Sequence, residues 1–406
     1  MSDMKITAAK VIVSSPGRNY VTLKIETDAG VYGVGDATLN GRELAVASYL
    51  QEHLAPMLIG KDPSSIEDLW QTLYRGAYWR RGPVTMTAIA AIDVALWDIK
   101  GKVLNTPVWN LLGGRVRDGI TVYSHVAAYS AQDAIDGVLE KVAAGYRAAR
   151  VQVAVPGIGE MYGVPGQYDH KKKNQAALPF TETNWSTEKY LRFVPAMFNE
   201  VREGVGFDVQ LVHDAHHRLT PSQAGWLGRR LEDIQLLWLE DAVPVDMQIS
   251  YRQIRAATTT PLAVGEMLNS LYDSDLLIRE QLIDFVRSTI VHAGGITGLR
   301  KIAAYAEPFL VRTGCHGASD LSPITMSAAA HYGISTHNAA VQEFMGFPEQ
   351  ASDVFSWGYG VKDGLLDASD APGLGVDIDE KAAAKYPYER AYLPLSRKED
   401  GSIWNW

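Results

Sequence analysis

Three carboxylates recur in one sequence context. Asp214 follows Leu211-Val212-His213, Glu240 follows Leu237-Trp238-Leu239, and Glu266 follows Ala263-Val264-Gly265. Each closes a short apolar run, and successive acids stand 26 residues apart, about one strand–helix unit. On neighbouring parallel strands of a closed barrel, equal phase would bring all three to the C-terminal mouth. Carboxylates gathered at one place repel each other strongly unless a cation neutralises them. An all-oxygen set with room for water suits Mg2+ better than Zn2+. The plainer alternative is three separate strand-end acids, each capping the next helix, and the common spacing argues against it.

The elements needed to hold such a ladder are present. Lys5–Val13, Tyr20–Thr27 and Val31–Asp36 are rich in β-branched residues and read as a three-stranded meander. Ala45–Leu58, Ser65–Arg75 and Thr85–Leu104 carry apolar residues at helical spacing. From about residue 118, short apolar runs alternate with amphipathic stretches. The expected strands are Ile120–His125, Ala149–Val155, Val209–His213, Leu236–Leu239, Leu262–Val264, Phe285–Ile290, Phe309–Thr313 and Gly333–Thr336. Eightfold strand–helix alternation predicts an α/β chain: a (β/α)8 TIM barrel behind an N-terminal α+β capping domain. The expected division is 1–115 for the cap, 116–345 for the barrel, and 346–406 for a segment packing back on the cap. One long gap, 157–179, follows a barrel strand and is expected to be an active-site lid.

Composition bounds the function. The chain has 406 residues, 47% of them hydrophobic, and a net charge of −9. That is long enough for a barrel and a second domain. It offers no basic surface for nucleic acid. No apolar run is long enough for a membrane span, and the first residues lack a signal-peptide layout. The single cysteine, Cys315, rules out an internal disulfide and suits a reducing cytoplasm. No activating partner for it is evident, so it reads as packing.

The stretch Ala91-Ile92-Asp93-Val94-Ala95-Leu96-Trp97-Asp98-Ile99-Lys100-Gly101-Lys102, followed by Leu111-Leu112-Gly113-Gly114, resembles the helix that joins cap to barrel in the mandelate racemase-like branch of the enolase superfamily. With the carboxylate ladder, the resemblance runs from Lys5 to Trp406. It implies that Asp214, Glu240 and Glu266 hold a Mg2+ that stabilises an enediolate. Two departures narrow the choice. Many relatives carry a Lys-x-Lys pair at the end of the second barrel strand, where this chain has Arg150-Val151-Gln152. Many also pair an Asp on the sixth strand with a His on the seventh. Here Thr289 stands where that Asp would be, although His316 is present.

The chain is similar instead to the D-mannonate dehydratase family, in which a Tyr–Arg pair removes the C2 proton. Tyr162, in Glu160-Met161-Tyr162-Gly163-Val164-Pro165, and Arg150 match those positions. An adjacent guanidinium would favour the phenolate of a side chain that ordinarily titrates near 10. His216 matches the general acid of that family, and an imidazolium suits a departing 3-hydroxyl at neutral pH. His213 and His217 should point elsewhere by strand alternation. The resemblance carries substrate contacts to Asn40, His125, Arg287, His316, Asp320, Glu343 and Trp406. Ala318, after His316-Gly317, matches members dedicated to mannonate rather than those that accept gluconate.

The expected function is therefore Mg-assisted dehydration of D-mannonate to 2-keto-3-deoxy-D-gluconate, in a cytoplasmic homo-oligomer. The alternatives are a dehydratase of D-gluconate or another acid sugar, or a low-activity regulatory paralogue. A metal-dependent barrel hydrolase would want His-rich ligands, and this ladder is carboxylate only.

Overall fold

The computed structural model describes residues 4–158, 182–318 and 321–405. Tyr162, Asp320, Trp406 and nearly all of the expected 157–179 lid lie outside the described residues.

Ile6–Ser14, Tyr20–Thr27 and Tyr32–Asp36 form an antiparallel meander. Its inner face, with Val21, Leu23 and Ile25, is buried. The third strand lies directly on the helix Pro83–Val103. A Cβ on Gly35 would sit 1.9 Å from the Ala91 carbonyl oxygen, and one on Gly33 2.1 Å from that of Ala95. Ala91 and Ala95 are one helical turn apart on the same face. The alternating glycines of the strand therefore meet a strip of alanines, and backbone packs on backbone.

Eight parallel strands close a barrel: Ile120–Ala128, Ala148–Val153, Gln210–Asp214, Trp238–Glu240, Leu262–Val264, Phe285–Val286, Arg312–Cys315 and Ala339–Glu343. The eighth pairs with the first, Val341 opposite Thr121, and leaves no open edge between them. The expected eighth strand, Gly333–Thr336, is misplaced. Residues through Ser335 belong to the helix Pro323–Ser335, which is buried almost throughout. The true strand reads Ala-Ala-Val-Gln-Glu, poor in β-branched residues, and its pairing with both neighbours overrides that weak propensity. The sixth strand is shorter than expected, and the seventh starts later, after the turn Glu307–Phe309.

The helix Pro83–Val103 is also the joint between layers. Asp98 Oδ1 accepts from the Leu374 backbone N–H at 2.8 Å, and its Oδ2 accepts from Val34 N–H at 3.2 Å and Lys102 Nζ at 2.6 Å. Asp93 Oδ2 accepts from Thr297 N–H at 3.0 Å, in the first turn of the helix Gly295–Ala306. Burial pushes the Asp93 carboxyl up to about 7 against the opposing pull of the Thr297 bonds. A carboxyl whose pKa is raised by folding adds stability below its unfolded pKa, and that stability fades as pH rises through the folded value. Wild type should thus lose stability relative to Asp93→Asn between about pH 4 and pH 7. Denaturant unfolding of both proteins at pH 5 and pH 8 checks this; a constant difference would mean that Asp93 stays ionised throughout.

The C-terminal segment folds back. Phe355–Trp357 pairs with Val376–Ile378, while Leu395–Arg397 pairs with Ile403–Trp404 and with Glu182–Asn184. Trp404 Nε1 donates to the Arg218 carbonyl at 2.9 Å, just past the end of the third barrel strand. Among the described residues, no helix is long and apolar enough to cross a membrane.

Candidate metal centre and active site

Strand alternation builds the site in two layers. Tyr123, Ala148, Val212, Trp238, Ala263, Phe285 and Val341 form one buried cluster inside the barrel. Two residues further along, on the same side of each strand, come His125, Arg150, Asp214, Glu240, Gly265, Arg287 and Glu343. On the seventh strand Gly314 lies against the Trp238 ring, and His316 follows it by the same step. Large rings below thus support a polar layer above.

The fifth strand breaks the phase. Ala263 pairs with Glu240, so the in-phase residue is Gly265, not Glu266. Gly265 has φ of +153°, and a Cβ there would stand 2.5 Å from the Arg287 backbone nitrogen. Only glycine leaves that space, and the turn it permits swings Glu266 into the layer. One ligand atom each from Asp214, Glu240 and Glu266 lies within 4.8 Å of the others. The three acids expected to converge do converge.

Their surroundings fit a cation. Asp214 Oδ2 and Glu240 Oε1 are buried, and among the described residues neither accepts a hydrogen bond of good geometry. Each is faced by a guanidinium: Arg150 Nη2 lies 2.5 Å from Asp214 Oδ2, and Arg287 Nη2 lies 2.6 Å from Glu240 Oε1. Remaining oxygens are spent on orientation. The His216 backbone N–H donates to Asp214 Oδ1 at 2.7 Å, and Trp238 Nε1 donates to Glu240 Oε2 at 2.8 Å. Burial raises both the Asp214 and the Glu240 carboxyl, against the pull of Arg150 and Arg287 respectively. Gathered anions held above their ordinary range are what a divalent ion relieves.

Arg150 is the hub of the other half. Its Nη2 donates to His216 Nε2 at 2.9 Å, and its Nη1 lies 3.3 Å from His125 Nε2 and 3.4 Å from Glu343 Oε1. Burial works against its charge, but Asp214, Glu240 and Glu343 outweigh that and fix the guanidinium as a cation. His216 is held well below its ordinary range, by burial first and then by repulsion from Arg150 and Arg218. In this arrangement His216 Nε2 is placed to accept from Arg150.

The Glu343 carboxyl is held well below its ordinary range. Burial opposes its charge, and Arg287, His316 and His125 overcome it. Its Oε1 lies 2.5 Å from His125 Nε2, and its Oε2 accepts from Arg287 Nη2 at 3.1 Å and from Gly317 N–H at 3.0 Å. Arg287 also donates to Tyr123 Oη at 2.5 Å. It has no exposed surface, whereas Glu266 is 21% exposed and His316 10%. Of these side chains Glu266 is the most exposed. His316 Nε2 lies 3.7 Å from Glu266 Oε2. Asn40 sits, half-buried, in the turn after the third cap strand. Neighbours of Asn40 reach the barrel mouth: His292 Nε2 donates to the Thr38 carbonyl, and Asp36 Oδ2 accepts from Ser322 N–H and Thr325 Oγ1.

His213 points outward as expected, bonded to Tyr190 Oη at 2.6 Å and pushed down to about 3 by burial. Burial pushes the Cys315 thiol up to about 12, which suits packing. Asp241 and Tyr123 were not anticipated. Asp241 is buried, with its carboxyl held well above the usual range by burial and by Glu266, Glu240 and Asp214. The Glu240-Asp241 doublet at a strand end was the available signal. His217 also belongs here. The alternation argument fails for it because the strand ends at Asp214, and His216 and His217 both have positive φ, +47° and +60°.

Residues 7–113 match the mandelate racemase / muconate lactonizing enzyme N-terminal domain, and residues 135–382 match the enolase C-terminal domain-like family. A D-mannonate dehydratase of Sphingomonas sp. is 56% identical over 99% of this chain and 100% of its own length. A D-galactonate dehydratase family member of Marinomonas sp. is 55% identical, with the same coverage of both chains. The crystal structure of an enolase from Pantoea ananatis, with bound D-gluconate and Mg, superposes with a TM-score of 0.89 at 38% identity over 99% of this chain and 100% of that one.

Proposed function

We propose, from the premise that this chain belongs to the mandelate racemase / muconate lactonizing enzyme family of the enolase superfamily, that it is a hydro-lyase converting D-mannonate to 2-keto-3-deoxy-D-gluconate. The observation that carries the reading is the three-carboxylate centre of Asp214, Glu240 and Glu266 beside the Arg150–His216 contact of 2.9 Å. Full-length relatives named D-mannonate dehydratase support it.

A divalent cation on the three carboxylates, Mg2+ in this reading because its ligands are all oxygen, supplies positive charge against the dianion that develops when a carboxylate loses its α-proton. Tyr162 takes the C2 proton, and the fixed guanidinium of Arg150 favours its phenolate form. His216 gives a proton to the 3-hydroxyl as the C3–O bond breaks and water leaves. The enol then becomes the 2-keto product. A neutral His216 suits the resting site, where burial and then Arg150 and Arg218 oppose its charge. A dianion placed beside it favours the imidazolium, the form that gives a proton to the leaving oxygen.

Asn40, His125, His316, Asp320, Glu343 and Trp406 contact the sugar acid in this proposal. Arg287 contributes from below, holding Glu240 and Glu343 in place. Mg2+ loading, a homo-oligomeric and cytoplasmic state, and the division at 1–115, 116–345 and 346–406 belong to the same proposal.

A second reading is dehydration of another acid sugar, because relatives about as similar carry D-galactonate dehydratase family names. Ala318 favours mannonate. A panel of D-mannonate, D-gluconate and D-galactonate with Mg2+ separates these readings by kcat/KM. Mannonate is expected to lead. A higher value for another acid transfers the reaction to that substrate, and binding without turnover throughout would mark a regulatory paralogue.

A further inference from the structure

Beside the carboxylate centre lies a second group of ligand atoms with different chemistry. One atom each from His217, Asp241 and Glu266 falls within 4.8 Å of the others. His217 Nδ1 lies 3.0 Å from the Val243 carbonyl oxygen. A carbonyl only accepts, so Nδ1 carries the hydrogen and, in the neutral ring, Nε2 offers a lone pair. That bond is the one by which proteins fix a metal-ligating imidazole. Nε2 faces Asp241 Oδ2 at 3.7 Å, too far for a hydrogen bond.

Among the described residues, neither Asp241 oxygen nor His217 Nε2 has a hydrogen-bond partner, although Asp241 is 1% and His217 7% exposed. Buried polar atoms that face one another without a hydrogen bond are costly. The backbone is held to this arrangement: His217 N–H donates to the Asp241 carbonyl at 2.6 Å, and both residues take positive φ, +60° and +40°. Strain kept at two non-glycine residues points to a function for their placement.

We infer that His217, Asp241 and Glu266 form a second cation position that takes a Zn2+-class ion. A mixed set of one imidazole and two carboxylates favours such an ion over Mg2+. Glu266, the partly exposed member of both groups, is shared between the two positions. An ion in the second position therefore bears directly on the first, and Zn2+ is expected to oppose Mg2+-dependent turnover.

This inference rests on the proposed metal role of Asp214, Glu240 and Glu266, and ion stoichiometry separates the two. Metal-stripped protein is dialysed against Zn2+ or Mg2+ and the bound ions are counted. Two Zn2+ per chain are expected in wild type, and one in His217→Gln and in Asp241→Asn, with one Mg2+ bound in all three. Zinc X-ray absorption of a chain carrying both His216→Asn and His316→Asn, which lacks the competing imidazoles beside Asp214 and Glu266, is expected to retain a nitrogen ligand. One Zn2+ in wild type, two persisting in both variants, or no imidazole in that spectrum overturns the second position alone. No bound ion of either kind overturns the carboxylate centre as well.

Discussion

Replacing His216 by asparagine is expected to lower kcat for D-mannonate by about 100- to 10,000-fold, the range for loss of a positioned proton donor, while leaving Mg2+ binding within a few-fold. The geometry separates these effects. His216 reaches the metal centre through its backbone, whose N–H orients Asp214 Oδ1, and an asparagine backbone makes the same bond. The imidazole faces Arg150 and Asp214 Oδ2, at 2.9 and 3.1 Å. An asparagine carbonyl can still accept from Arg150, but the amide cannot transfer a proton. If Tyr162 is the base, His216→Asn should still exchange the C2 hydrogen of the substrate for deuterium in D2O, whereas Tyr162→Phe should do neither. NMR of the recovered substrate distinguishes them. Normal turnover in either variant would remove that residue from the chemistry.

The second large effect is expected at Glu240. Glu240→Gln keeps the volume and can keep the Trp238 bond to its oxygen, but removes a charge from the centre. It also leaves Arg287 with Glu343 at 3.1 Å as its close carboxylate partner. Loss of outer supports alone costs about 10- to 100-fold in metal affinity, so loss of a ligand should weaken Mg2+ by more than about 100-fold and abolish turnover at ordinary Mg2+. Calorimetric titration of Mg2+ into the two proteins measures it. Unchanged affinity would exclude Glu240 as a ligand. The chain should still fold, because buried Arg287 keeps Glu343 as a carboxylate partner.

The barrel and its ladder were legible because both signals are local. Apolar runs mark strands, and an acid at the end of a run marks the mouth. Legibility failed where non-local pairing decides. Ala339–Glu343 has little strand propensity and becomes a strand because it closes the ring between Arg312–Cys315 and Ile120–Ala128. Glu266 was found for a partly wrong reason. Its equal spacing does not reflect equal phase, and Gly265 supplies the correction through its conformation. His217 was set aside on an alternation rule that stops applying where the strand stops. The shift of His216 was not readable, since it depends first on burial and then on Arg150, which another strand brings beside it. The Tyr–Arg pair and the substrate contacts came from family resemblance. Of these, Tyr162, Asp320 and Trp406 lie outside the described residues.

The most direct test follows product while the ion is restored. Metal-stripped wild-type protein is mixed with D-mannonate, Mg2+ is titrated in, and 2-keto-3-deoxy-D-gluconate is measured together with bound Mg2+. The expected result is no product without the ion, and a rate that rises in proportion to occupancy and levels at one Mg2+ per chain. Undiminished product formation in the stripped protein, or none at full occupancy, would contradict the account.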